Sequence, residues 1–163
     1  MWKSDSRMQQ TQRLKLILLG EFGVGKTSFF CRVKHGYFPK STLSTLSPDD
    51  FQKTYHVLHN GQPQEVEVTL WDTVGEERFD SLSTTYYRYT SAAILMYSVD
   101  RQETLEHLVH WINSARSYCD DVKLFLVGNK NDLEDKIPKD KVRRFAQEHK
   151  IQSVFKLSAK TGM

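Results

Sequence analysis

The sequence predicts an α/β domain built on a mostly parallel sheet with helices on both faces. Three observations carry that prediction. Strand-like apolar runs alternate with helix-patterned segments through residues 14–157. Two of the runs, 92–99 and 122–128, are almost continuously apolar, as strands covered on both faces are. Two others are divided by Asn60-Gly61, a strong hairpin signal.

The elements follow in order. Residues 14–19 are apolar except for Lys15 and end at Gly20, so a buried first strand opens into a glycine loop. A helix is expected from about Lys26 to Lys34. In the hairpin, residues 51–59 and 65–71, Val66, Val68 and Leu70 alternate with Glu65, Glu67 and Thr69, which places one wet face near a sheet edge. After the run 92–99, Asp100 and Glu103 stand at capping-box spacing, and Leu105, Leu108, Ile112 and Ala115 share one helix face. Pro138 suits the first turn of another helix, which carries Val142, Phe145 and Ala146 inward. Residues 151–157 supply the last strand.

The 163 residues suffice for one such domain and are too few for two. Residues 1–13 are polar and read as a flexible leading segment, with the domain over 14–163. A formal charge of +3, with no DNA- or RNA-reading motif, argues against a nucleic-acid partner. Cys31 and Cys119 are far apart and form no CxxC pair, and the six histidines are scattered. Neither a disulfide framework nor a zinc site is expected. No run approaches the ~20 apolar residues of a membrane span. Trp2 stands where myristoylation needs glycine, and the final residues, Thr161-Gly162-Met163, hold no prenylation cysteine. The basic residues Lys139, Lys141, Arg143, Arg144 and Lys150 are diluted by Asp140 and Glu148 and read as the solvated face of a helix.

Four motifs carry chemistry. Gly20-Glu21-Phe22-Gly23-Val24-Gly25-Lys26-Thr27 matches GxxxxGK[ST] between a strand and a helix. Its backbone amides curl around a β-phosphate, Lys26 reaches the β- and γ-phosphates, and the Thr27 hydroxyl ligates Mg²⁺. The helix that begins there adds a dipole favourable to anions, so Gly23, Val24, Gly25, Lys26, Thr27 and Ser28 form the expected phosphate-binding set. At the end of the next apolar strand comes Trp71-Asp72-Thr73-Val74-Gly75-Glu76. There Asp72 can hold Mg²⁺ through water, and the Gly75 amide can meet a γ-phosphate. Asn129-Lys130-Asn131-Asp132 follows a third strand, and the Asp132 carboxylate can accept two hydrogen bonds from guanine. Adenine would leave that acceptor unpaired. Ser158-Ala159-Lys160 follows the last strand and is placed to buttress the base. Every motif follows a strand, so all are expected at one edge of the sheet.

The order GEFGVGKT, WDTVGEERF, NKND, SAK resembles the Ras superfamily of small GTPases over nearly the whole chain. Ser44-Thr45-Leu46, Asp50-Phe51, Thr69-Leu70-Trp71, Glu77-Arg78-Phe79, Tyr86-Tyr87-Arg88 and Leu95-Met96-Tyr97 resemble its Rab branch. The resemblance implies a three-layer P-loop GTPase fold: a six-stranded mostly parallel sheet with one antiparallel edge strand, helices on both faces and the final helix missing. It implies a monomeric switch that binds GTP or GDP with Mg²⁺, hydrolyses GTP and regulates vesicle traffic. Exchange factors, GTPase-activating proteins and effectors would dock on residues 38–51 and 72–87. Localisation would be cytoplasmic, with membrane attachment only through a lipidated tail that this C-terminally truncated domain lacks. It further implies that Thr45 binds Mg²⁺ and senses the γ-phosphate, and that Phe38 packs edge-on against guanine. Phe51, Trp71 and one of Tyr86 or Tyr87 would form an effector-facing aromatic cluster. Glu76, Lys26, Thr45 and Gly75 would be the catalytic set.

Four departures stand out. Glu76 occupies the place of the glutamine that orients the attacking water; an ionised carboxylate donates no hydrogen bond and is repelled by the γ-phosphate. Phe22 replaces a small residue beside the γ-phosphate. Together they predict slow hydrolysis. Leu46-Ser47-Pro48 alters the first switch, and the hairpin around Asn60-Gly61-Gln62-Pro63 reads as lengthened. An apolar sheet face is expected where the final helix is absent. Two other readings remain: a nucleotide-loaded scaffold with negligible turnover, and an ATP-using P-loop enzyme, against which Asp132 argues.

Overall fold

The computed structural model describes residues 11–41, 49–73 and 84–163. Strands β1 (Gln12–Leu19), β2 (Asp49–His59), β3 (Gln62–Asp72), β4 (Ala92–Ser98), β5 (Lys123–Asn129) and β6 (Ser153–Lys156) form one sheet. Its order is β2-β3-β1-β4-β5-β6. Only β2 and β3 run antiparallel, and every other pair is parallel. The helices are α1 (Lys26–His35), α2 (Thr84–Tyr87), α3 (Glu103–Glu106), α4 (Leu108–Tyr118) and α5 (Lys139–Glu148).

The near-continuous apolar runs are the central strands β4 and β5, and alternate side chains go to opposite faces. Leu95, Tyr97, Leu124 and Leu126 pack with Leu105, Leu108, Ile112 and Ala115 of α3 and α4 and with Val142 of α5. Met96 and Val127 face the other way, toward Leu18, Leu70 and Phe30 of α1. Helices therefore cover both faces, as predicted.

Local differences have physical causes. The expected capping box at Asp100 does not form. Asp100 accepts from the Ser98 hydroxyl instead, and the Thr104 hydroxyl turns back to accept from the Ser98 amide (2.9 Å) and donate to the Arg101 carbonyl (2.6 Å). The helix is broken at His107, so α3 and α4 are separate. The hairpin closes in a two-residue turn, with Asn60 and Gly61 both at positive φ (51° and 73°), and Gln62 and Pro63 already belong to β3. The β2–β3 ladder runs from Asp49↔Asp72 to His59↔Gln62, but β1 joins β3 only from Gln12↔Val66. Among the described residues the tip of the hairpin is therefore a two-stranded ribbon, with Leu58 exposed.

Candidate functional site

All four motifs leave carboxyl ends of parallel strands, β1, β3, β5 and β6, on one edge of the sheet. Thr45, Gly75 and Glu76 lie outside the described residues, as do Ser44, Leu46, Ser47 and Pro48.

The phosphate loop lies between β1 and α1, and Gly23, Val24 and Gly25 lead directly into Lys26, Thr27 and Ser28 of α1. Lys26 is buried, and its ammonium donates to the carbonyls of Gly20 (2.7 Å) and Glu21 (2.9 Å). Burial pushes its pKa down to about 8, against the opposing pull of the Asp72 and Glu21 carboxylates. The Glu21 carboxylate meets His107 Nδ1, tying the loop to the junction of α3 and α4. Phe22 is 58 % exposed on the rim.

Asp72, at the end of β3, is 1 % exposed. Burial raises its pKa, while a hydrogen bond from Thr27 and the charge on Lys26 oppose the rise. Its Oδ1 is buried with no hydrogen-bond partner. A desolvated carboxylate oxygen left open beside a threonine hydroxyl and an ammonium suits a hard divalent cation. Among the described residues no three His, Cys, Asp or Glu side chains gather to hold a metal without help. A cation here would therefore depend on Thr27, Asp72, water and the oxygens of a bound phosphate. That is how Mg²⁺ is usually held, so these residues fit the group.

Asn129 is 1 % exposed, and its amide bridges two motifs. Nδ2 donates to the Val24 carbonyl (2.9 Å), and Oδ1 accepts from the Ala159 amide (3.0 Å). At Gly25 (φ 97°) a Cβ would come within 2.3 Å of Asn129 Nδ2, so only glycine lets the loop close on this brace. Lys130 takes φ 65°, and burial lowers its pKa. Asp132 is oriented by the Ser158 hydroxyl, which donates to Oδ1 (2.5 Å), and by Lys160, whose ammonium is 3.9 Å from Oδ2. The Thr161 amide donates to Ser158 Oγ (3.1 Å), holding that hydroxyl in place. The sequence placed Asn129 among the nucleotide-binding residues; in the fold its amide also braces the phosphate and base loops against each other.

Arg32 was not singled out from the sequence. From the last turn of α1 it donates to the carbonyls of Ala159 (3.0 Å), Lys160 (2.8 Å) and Gly36 (2.9 Å). It thereby staples the start of the Phe38 segment to the base loop. Phe38 is 40 % exposed, an open ring of the kind a planar base could cover.

The expected aromatic cluster is split. Trp71 and Tyr86 meet edge-on at 6.3 Å, and the Lys15 ammonium lies 5.0 Å from the Trp71 ring. Tyr87 is buried and stacks on Tyr118 at 5.1 Å. Phe51 pairs with Leu70, so it packs on the α1 side, whereas Trp71, one residue along, faces the α4 side. The period of two along a strand separates them.

No helix among the described residues is long and apolar enough to cross a membrane. A protein-family model described as the Ras family matches residues 15–163.

Proposed function

The chain belongs to the Ras family, and from that membership we propose that it is a Rab-like, monomeric guanine-nucleotide switch that acts in vesicle traffic and hydrolyses GTP slowly. What carries the reading is the convergence of phosphate loop, Asp72 and a braced Asp132 at one sheet edge. The loop amides and Lys26 bind the β- and γ-phosphates, and Asp132 selects guanine over adenine. Thr27, Thr45 and Asp72 would hold Mg²⁺, which neutralises β/γ charge. Thr45 and the Gly75 amide would sense the γ-phosphate, and residues 38–51 and 72–87 would present its presence to effectors, exchange factors and activators. Slow turnover follows from Glu76 and Phe22, since an ionised carboxylate cannot donate to the attacking water and a phenyl ring crowds the γ-phosphate side. The same substitutions favour one second reading, a GTP-loaded scaffold with negligible turnover. The protein is cytoplasmic in this proposal and reaches membranes by lipidation.

Chromatography of the nucleotide released on denaturing fresh protein tests the binding, and single-turnover hydrolysis tests the rate. Guanine nucleotide with a rate rescued by Glu76→Gln is the expected result. Bound adenine nucleotide, or an unimpaired wild-type rate that Glu76→Gln does not raise, would overturn it. Undetectable turnover that no reversion restores would favour the scaffold.

A further inference from the structure

Arg101 is not part of any motif, yet it reaches the phosphate loop. It sits between β4 and α3, held by its amide to the Ser98 carbonyl (3.0 Å) and by the Thr104 hydroxyl to its own carbonyl. Its guanidinium Nη2 lies 3.5 Å from where a Cβ on Gly23 would be. Gly23 is one of the loop residues whose amides surround a phosphate, so the cation rests on the lip of the anion site. Among the described residues the guanidinium forms no ion pair within salt-bridge distance. The Asp100 carboxylate, which also accepts from the Ser98 hydroxyl, feels the charges of both Arg101 and Lys130. Lys130 lies close enough for the two positive charges to act on each other. Two cations held together beside an anion loop, with the Asp100 carboxylate shared between them, form an arrangement that a bound polyanion relieves.

We propose that Arg101 is a third cation for the nucleotide's phosphates, acting alongside Lys26 and independently of Mg²⁺. The inference rests on the guanine-nucleotide reading above and adds a residue to it. Arg101 stands on a different element from the loop and needs neither switch segment in place. Its contribution is therefore largest when the metal is absent, where it slows loss of GDP from a protein stripped of Mg²⁺.

The test is dissociation of a fluorescent GDP from wild type, Arg101→Gln and Arg101→Lys, with Mg²⁺ and in EDTA, over a range of salt. Lys139→Gln on α5 is a remote charge control. Arg101→Gln is expected to release GDP roughly three- to ten-fold faster, with the larger ratio in EDTA and a shallower dependence on salt, because one screened attraction is gone. Arg101→Lys should recover most of the wild-type rate, and Lys139→Gln should match wild type. Equal rates and salt slopes for Arg101→Gln and wild type would overturn the proposal. So would a lysine variant as impaired as the glutamine, since Arg101 would then be only a packing prop for Gly23. Wild-type protein that retains no guanine nucleotide at all would sink the functional reading itself, a result distinct from unchanged rates in a protein that binds.

Discussion

Asn129→Ala should damage the nucleotide-free protein as well as the loaded one. The substitution removes the donor to the Val24 carbonyl and the acceptor for the Ala159 amide, both in buried bonds of 2.9 and 3.0 Å. Each orphaned buried group costs about 1–3 kcal/mol, so the pair costs about 2–6 kcal/mol. Against a total stability of about 5–15 kcal/mol that is a large fraction. For a chain of this size it corresponds to a fall in Tm of roughly 4–24 °C. Urea unfolding of protein stripped of nucleotide measures it directly, and GDP dissociation should accelerate at least about tenfold in parallel. Asn129→Asp keeps the acceptor, loses the donor and sets a carboxylate against a carbonyl beside the anion site, so it should be no better than alanine. The reasoning fails if stripped Asn129→Ala is within about 0.5 kcal/mol of wild type while GDP affinity alone drops. Asn129 would then be a ligand contact and not a brace.

Three further outcomes follow from the same geometry. Arg32→Ala loses its bonds to Ala159, Lys160 and Gly36, and at about 1–2 kcal/mol should speed GDP release ~5–30-fold, read by fluorescent GDP dissociation. Asp72 has a folded pKa raised by burial, so its ionisation costs the metal-free fold nothing below the ordinary carboxylate range and progressively more as pH rises through the raised value. Asp72→Asn should therefore be more stable than wild type at neutral pH in EDTA, with the gap closing on acidification in urea titrations. Lys26 has a free-state pKa of about 8, and phosphate binding favours its charged form. GDP affinity should accordingly fall as pH rises above about 8, and Lys26→Met should bind weakly with no such pH dependence.

Most of the fold was legible because β4 and β5 are buried on both faces and β3 on one, so hydrophobic pattern and strand period agree. The loop residues were legible because their chemistry depends on local spacing. What stayed hidden was set by long-range geometry. Arg32 bonds to carbonyls 127 and 128 positions away, and nothing in an exposed-looking helical arginine announces that. Asn129 was legible as part of a motif, but its brace was not, since the groups it joins are 105 and 30 residues distant. Asp100 looked like a cap by spacing alone, and Ser98 and Thr104 competed successfully for the same polar groups. Phe51 and Trp71 looked like one patch until strand register put them on opposite faces.

The overhanging hairpin has a practical use. Residues 62–65 pair with β2 alone and span ~13 Å beyond the three-stranded part of the sheet. Such a ribbon is marginal by itself, so amide exchange should be slow at Leu70 and quicken steadily toward Asn60. An insertion between Asn60 and Gly61 would lengthen a closure at slight entropic cost, about 0.6 kcal/mol for each doubling. The tip lies at the opposite end of β3 from Asp72. It is the place to splice in a fluorescent or affinity module when the nucleotide site is to be watched without being touched.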